Sequence, residues 1–179
     1  MIRPLDRYQI AVVCLARICR SPSLKRSSNS GWPWPVSTAS YPLNLLKTAG
    51  WHVGRSADPR SQGALRRAGY SYGHTAQQFD PGWFDRIDLV LGMDYDNVRD
   101  LRGMAPDSLQ VNKVRIFRSF DPALMHLPED DPAWKPPDPY YGTDADFDAV
   151  VAMVEPAADG IIDHVRLELS ESPWGVASD

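Results

Sequence analysis

Three short apolar runs stand out from the polar stretches of this chain. They occupy residues 9–14, 89–93 and 114–117, and they are rich in valine, isoleucine and leucine. Runs of this length that contain β-branched residues favour extended backbone over helix. Each run is therefore predicted to form a buried strand.

Helix signals lie between and after these runs. Residues 60–69 end on Gly69, a residue type that commonly terminates a helix. Asp94 is an N-cap residue type, and it precedes a helix that is expected to run to about Arg102. Across residues 146–169 the apolar positions recur at helical spacing. The alternation of strands and helices predicts an α/β fold with a parallel, doubly wound sheet.

Proline marks two further features of the pattern. Pro156 lies inside the last helical segment and predicts a kink there. Residues 121–143 are rich in proline, aspartate and tyrosine, which predicts a long functional loop. A single domain over residues 1–169 accounts for the whole pattern, and residues 170–179 are expected to form a frayed tail.

The composition argues against several classes of protein. The chain has 179 residues, 23% of them charged, and a net charge of -4, so no basic surface for nucleic acid is expected. No apolar run approaches the roughly 20 residues of a membrane span, and the N-terminal residues form no signal-peptide core. The histidines lack metal-ligand spacing. Two cysteines make no disulfide framework, which favours a reducing, cytoplasmic location, while signal-independent export stays open.

The first apolar run ends in the most specific signal of the chain. Cys14 is followed, after five residues, by Arg20 and Ser21. A loop of this length can wrap backbone N–H groups around an oxyanion, and the same field lowers the pKa of a thiol and makes it nucleophilic. The arginine can hold two phosphoryl oxygens in a planar fork. The other residues of this phosphate-binding loop are Leu15, Ala16, Arg17, Ile18 and Cys19.

Transfer of a phosphoryl group from an ester also requires an acid for the leaving oxygen. Asp138 is the best candidate, because it lies between prolines in a stiff segment and beside Tyr140 and Tyr141. The sequence thus predicts a cysteine nucleophile, an arginine clamp and a carboxylic acid as the catalytic groups.

Three motifs together resemble the low-molecular-weight protein tyrosine phosphatases, particularly their bacterial branch. They are the Cys14-to-Pro22 loop, Trp51-His52-Val53-Gly54, and Asp138-Pro139-Tyr140-Tyr141. Their order and spacing follow that family from about residue 9 to about residue 169. The resemblance implies a twisted four-stranded parallel sheet with helices on both faces, and a phosphate-binding loop after the first strand.

The same resemblance implies hydrolysis of phosphotyrosine monoesters through a phosphocysteine intermediate, without a metal or other cofactor. Phosphotyrosine-containing proteins or peptides would be the substrates and inorganic phosphate the product. Cys14 would be the nucleophile, Arg20 the phosphate ligand and Asp138 the general acid. Side chains of the substrate cleft would be Trp51, Tyr140 and Tyr141. Cys19 would form a reversible disulfide with Cys14, and His74 would support the loop.

The loop departs from the family pattern at two positions. Ala16 and Arg17 stand where the family has glycine and asparagine. Ala16 adds a Cβ where backbone should approach phosphate, and Arg17 replaces a side chain that ties the loop together. Of the family's supporting network Ser21 and His74 remain, but a serine of the second strand is replaced by Leu45. Because a half-satisfied polar network is poorly ordered, we expect a looser loop and reduced turnover.

Residues 23–47 match the family in length and not in content. They contain prolines, no acidic residue and little periodicity. Codons chosen for residues 22–41 and read one base earlier can give an amphipathic helix closed by glycine. One hypothesis is therefore a pair of compensating frameshifts, in the gene or in its sequencing; the other is a divergent flap.

Two other functions are consistent with the motifs. A catalytically weakened or inactive phosphate-binding pseudophosphatase is favoured by Ala16 and Arg17, while the intact Cys14, Arg20 and Asp138 argue against it. Arsenate reductase shares the loop, but that chemistry usually needs further cysteines, and none follows Cys19.

Overall fold

The fold is described from a computed structural model of the chain. The residues it describes are 8–13, 44–47, 58–70, 77–128 and 131–171. Five parallel strands form one sheet in the order β3-β2-β1-β4-β5, with β1 at its centre. The strands are β1 (Ile10–Val13), β2 (Asn44–Lys47), β3 (Gln77–Gln78), β4 (Leu89–Gly92) and β5 (Val114–Ile116).

The expected α/β architecture is confirmed, but the expected number of four strands is wrong. The additional strand is β3, which has two residues and pairs with β2 at the sheet edge. Both of its residues are glutamine, so no apolar run marks it in the sequence. Backbone pairing with β2 defines this strand.

Strand β2 lies inside the segment of unusual composition. Its backbone pairs with β1 in parallel register, with Ala11 opposite Asn44 and Val12 opposite Leu45. Leu45 is therefore in the second strand, where the sequence comparison placed it. Residues 23–43 lie outside the described part of the chain, so both hypotheses for that segment remain predictions.

The helices are α1 (Pro59–Arg67), α2 (Tyr95–Met104), α3 (Ser108–Asn112) and α4 (Asp144–Glu171). The first begins at the N-cap Asp58, and after it Gly69 adopts a positive φ of 86°. Asp94 caps α2 as predicted, with its side chain accepting a hydrogen bond from the N–H of Asn97. The short helix α3 was not predicted, because five residues show too little periodicity.

The last helix is longer than predicted and continues through Pro156 to Glu171. Residues 170 and 171 thus belong to α4, while residues 172–179 lie outside the described part, so the expected frayed tail stays a prediction. Among the helices that the structure describes, none combines the length and the low polarity needed to cross a membrane.

Alternate residues of the central strands serve two apolar layers. Ile10, Val12, Leu89 and Leu91 pack with α4, and Ala11, Val13 and Val90 pack with α2 on the opposite face. This alternation follows from the two-residue period of a strand. It explains why the runs read as continuously apolar: strands covered on both faces need apolar residues at every position.

Residues 121–143 are expected to form a long loop, but part of this segment has regular structure. Two short 3₁₀ helices, Pro132–Trp134 and Pro139–Tyr141, lie within this segment. Each begins with an aspartate N-cap followed by proline, which fixes φ for the first turn. The segment thus contains two 3₁₀ helices that each start with an Asp-Pro pair, and the second carries the candidate acid.

Candidate active site

Contacts at the two ends of α4 show where the candidate acid lies relative to the sheet. Tyr8 precedes β1, and its hydroxyl donates a hydrogen bond to the carboxylate of Glu168 at 2.7 Å. The C-terminal part of α4 therefore lies at the amino edge of the sheet, and the N-terminus of α4 points toward the carboxyl edge. Asp138 lies in the turn that leads directly into this N-terminus.

Helix α1 runs parallel to α4, as three contacts show. Arg60 bonds to the carbonyl of Gly142, Arg67 pairs with Asp148 at 2.6 Å, and the Tyr70 hydroxyl donates to Glu155 at 2.7 Å. Successive positions along one helix thus meet successive positions along the other. The N-termini of both helices lie at the same edge of the sheet, which is where α/β folds bind ligands.

At this edge the central strand ends on Val13, the residue before Cys14. The carbonyl of Val13 accepts a hydrogen bond from the N–H of Met93 at 3.2 Å. Here the backbone is tightly packed, because a Cβ on Gly92 would lie only 2.8 Å from a side-chain carbon of Val98. The chain leaving β1 therefore starts from a fixed point.

The candidate acid is held by its own turn. Oδ1 of Asp138 accepts a hydrogen bond from the N–H of Tyr140 at 3.1 Å, and the Asp138 side chain is exposed. Tyr141 is 96% exposed, whereas Tyr140 is half-buried against a cluster that includes Phe147. The two tyrosine rings meet edge to face with centroids 4.9 Å apart. The turn thus presents a carboxylate and an aromatic ring to solvent on a packed base.

The exit from this turn is equally constrained. The Asp146 carboxylate accepts hydrogen bonds from the Thr143 N–H at 2.6 Å and from its hydroxyl at 2.8 Å. These bonds hold the pKa of Asp146 below its ordinary value. A Cβ on Gly142 would lie 2.6 Å from this carboxylate, so the position favours glycine. Helix α4 therefore starts at a defined place directly after the turn.

A guanidinium from α1 reaches the same turn. Nη2 of Arg60 donates to the carbonyl of Tyr140 at 3.0 Å, and Nη1 donates to the carbonyl of Gly142 at 3.2 Å. Arg60 also pairs with Asp58, and hydrogen bonds from Arg60 lower the pKa of that carboxyl. The sequence analysis missed this contact. Its one available signal was the Asp58-Pro59-Arg60 helix start, which predicts a cap and gives no partner 80 residues away.

The matching family model covers residues 9–171 and is described as low molecular weight phosphotyrosine protein phosphatase. It spans every described element from β1 to α4. The chain belongs to the low-molecular-weight protein tyrosine phosphatase family. The resemblance inferred from three sequence motifs is thereby confirmed.

Relatives of this phosphatase family occur in bacteria and in animals. A low molecular weight protein-tyrosine-phosphatase from Streptomyces coelicolor is 38% identical over 164 residues, which cover 89% of this chain and 94% of the relative. Low molecular weight protein-tyrosine phosphatase A from Mycobacterium tuberculosis is 32% identical, with 93% and 97% covered. The Sus scrofa phosphatase is 31% identical, with 88% and 95% covered.

Solved structures of other proteins share the fold. A protein tyrosine phosphatase from Entamoeba histolytica superposes with a TM-score of 0.73 at 24% identity, covering 90% of this chain and 98% of that one. YfkJ from Bacillus subtilis gives a TM-score of 0.68 at 24% identity, covering 90% and 96%. These likenesses concern the architecture of the sheet and helices.

Within this phosphatase fold, the structure brings together only some of the predicted site residues. Asp138, Tyr140 and Tyr141 share one turn, as their sequence spacing requires. The phosphate-loop residues Cys14, Leu15, Ala16, Arg17, Ile18, Cys19, Arg20 and Ser21, together with Trp51 and His74, lie outside the described part of the chain. Their roles, including the Cys14–Cys19 redox pair, remain predictions.

Buried polar groups of the described part show a second feature that sequence analysis missed. Asn97 in α2 is fully buried, and neither polar atom of its side-chain amide has a hydrogen-bond partner among the residues that the structure describes. Within the same residues, no cluster of three or more histidine, cysteine, aspartate or glutamate side chains could hold a metal ion.

Proposed function

We propose that this chain hydrolyses phosphotyrosine monoesters, with Cys14 as nucleophile, Arg20 as phosphate ligand and Asp138 as general acid. One observation carries the proposal: the central strand ends at Val13, directly before Cys14, at the sheet edge toward which the Asp138 turn points. Membership of a phosphatase family supports the same chemistry.

The proposed reaction proceeds in two steps. The Cys14 thiolate attacks phosphorus, the bond to the tyrosine oxygen breaks, and Asp138 gives that oxygen its proton. Water then attacks the phosphocysteine, Asp138 takes a proton from the water, and inorganic phosphate leaves as the thiolate re-forms. Electrostatic stabilisation of the equatorial oxygens comes from Arg20 and from the amides of residues 15–19. The other site assignments are the supporting residues Ser21 and His74, the Cys14–Cys19 redox pair and the cleft side chains Trp51, Tyr140 and Tyr141.

Phosphotyrosine-containing proteins or peptides are the proposed partners, and the exposed ring of Tyr141 supports recognition of an aryl group. The phosphate of phosphotyrosine extends further from the backbone than that of phosphoserine. A cleft with aromatic side chains beside the acid therefore favours phosphotyrosine, whose ring those side chains can contact. We also propose a cytoplasmic location, which the absence of a disulfide framework supports.

The first test is turnover of p-nitrophenyl phosphate by the full chain with its mass verified. Cys14→Ser should abolish turnover, and Asp138→Ala should lower kcat/KM by about 100-fold or more, the usual contribution of a positioned acid. Turnover by Cys14→Ser at the wild-type rate would contradict the mechanism. Binding of vanadate without turnover by the wild type would instead identify a phosphate-binding pseudophosphatase.

The chain supplies a matched control for the acid. Asp131 caps the preceding Asp-Pro turn and accepts a hydrogen bond from the N–H of Ala133 at 2.8 Å, as Asp138 does from Tyr140. Asp131→Ala should leave kcat/KM for p-nitrophenyl phosphate close to the wild-type value, because this carboxylate has only the capping role. Equal effects of both substitutions would show that the role of Asp138 is local structure.

A further inference from the structure

The backbone of the acid turn is held from both sides. On one side, the carboxylate of Asp138 accepts a hydrogen bond from the N–H of Tyr140 at 3.1 Å. On the other, Arg60 donates to the carbonyl of Tyr140 at 3.0 Å and to that of Gly142 at 3.2 Å. The guanidinium therefore bridges the residues on either side of Tyr141. Motion of the turn away from α1 would break both bonds to Arg60.

The arginine is itself fixed. Nε and Nη2 of Arg60 donate to the two oxygens of Asp58, at 3.2 and 3.1 Å, and the Arg60 N–H donates to the same carboxylate at 2.8 Å. The guanidinium carbon lies 4.6 Å from the ring centroid of Phe147, which is 2% exposed. A planar fork with a bidentate partner on one edge and an aromatic face beside it has little rotational freedom.

We propose that Arg60 is a positioning residue for the general acid, with Asp58 holding it in place. It contacts the turn through backbone carbonyls, so its effect on catalysis would pass through the location of Asp138. The inference rests on the proposed role of Asp138. Displacement of a reacting group by about 1 Å can cost about 100-fold in rate, so loss of the two carbonyl bonds should be visible in kinetics.

Leaving-group dependence separates a positioned acid from general damage. Phenolate is a poorer leaving group than p-nitrophenolate and depends more on protonation in the transition state. Arg60→Ala should therefore lower kcat/KM for phenyl phosphate about tenfold more than for p-nitrophenyl phosphate. Asp138→Ala should show the same pattern with a larger ratio, and Arg60→Lys, which keeps the charge without the fork, should fall between wild type and Arg60→Ala.

A double-mutant cycle tests the route of the effect. If Arg60 acts through Asp138, adding Arg60→Ala to Asp138→Ala should change kcat/KM for phenyl phosphate by less than about twofold. Arg67→Ala is the matched control: Arg67 lies on the same helix and pairs with Asp148 at 2.6 Å. Its substitution should leave the ratio between the two substrates at the wild-type value.

Two outcomes would overturn the inference. One is an equal decrease for both substrates in Arg60→Ala; the other is a full, independent decrease in the Asp138→Ala background. Amide hydrogen exchange gives a readout without turnover, since residues 140–143 should exchange faster in Arg60→Ala than in Arg67→Ala, and equal exchange would contradict the anchoring. Failure of the proposed function can be told apart from failure of this inference. It would be seen as absent turnover by the wild type or as wild-type turnover by Cys14→Ser, without any Arg60 variant.

Discussion

Two Asp-Pro turns of residues 121–143, the first at Asp131 and the second at Asp138, have the same local construction and different surroundings. In each, an aspartate caps a three-residue 3₁₀ helix that starts with proline. In each, an arginine from outside the turn donates to the carbonyl of the residue two positions after the aspartate: Arg118 to Ala133, and Arg60 to Tyr140. Local structure does not distinguish them.

Burial does distinguish them. The Arg118–Asp121 pair has side chains 10% and 5% exposed, whereas those of the Arg60–Asp58 pair are 36% and 15% exposed. The aromatic residue that ends each turn differs more strongly. Trp134 is 5% exposed and donates to the carbonyl of Pro128 at 2.6 Å, while Tyr141 is 96% exposed. The first turn is part of the core, and the second presents its groups to solvent.

The same Asp-Pro motif thus occurs once in a buried and once in an exposed setting. A buried ion pair that also donates hydrogen bonds to backbone carbonyls is costly to disrupt. Each group left behind has no partner and no access to water. A partly exposed arginine can be replaced by water at its carbonyls with little loss of stability. We therefore expect the first arginine to govern folding and the second to govern catalysis.

The largest expected effect is on stability in Arg118→Ala. The substitution removes the cation paired with the buried carboxylate of Asp121 and the donor to the carbonyl of Ala133, and we expect a loss of about 3–5 kcal/mol in the free energy of unfolding. Urea denaturation followed by tryptophan fluorescence measures it. Arg60→Ala should unfold close to the wild-type midpoint, and similar midpoints for the two variants would contradict the comparison.

A smaller loss is expected when α4 is pushed away from the 3₁₀ turn Phe117–Phe120, which precedes both Asp-Pro turns. A Cβ on Gly160 would overlap the carbonyl oxygen of Phe120, the last residue of the 3₁₀ turn that contains Arg118. Gly160→Ala should cost about 1–3 kcal/mol through overpacking. Gly103→Ala is the control: no atom lies within 4 Å of its Cβ, so helix propensity should make it neutral or slightly stabilising. Equal effects at the two positions would show that α4 has room to shift.

The smallest expected effect is the pH dependence contributed by Asp58. Hydrogen bonds from Arg60 hold its pKa below the unfolded value of about 3.9, so its contribution is present above about pH 4 and is lost as the pH falls through the folded pKa. Asp58→Asn keeps an N-cap residue and removes the titration. The stability difference between wild type and Asp58→Asn should therefore shrink below pH 4 in urea titrations, and a difference that grows there would reverse the sign of the linkage.

Much of the fold could be predicted from the sequence because its signals are local. Three apolar runs predicted β1, β4 and β5, and Asp94 and Gly69 marked helix boundaries through their own backbone preferences. The pair of glutamines in β3 could not be predicted, since their strand depends on hydrogen bonds to β2. For the site, motif spacing identified the Asp138 turn but gave no indication of what holds it.

By itself, the sequence determined the chemistry available to this protein: a cysteine and an arginine at fixed spacing after an apolar strand, and an aspartate before proline and two tyrosines. The tertiary structure decided which of two equivalent Asp-Pro turns faces solvent, and it placed Arg60 against carbonyls 80 and 82 residues further along the chain. The physical reason is the separation along the chain of the residues that interact. Caps and strands depend on neighbouring residues, whereas burial and the Arg60 contacts depend on the parallel packing of α1 on α4, which no local pattern encodes.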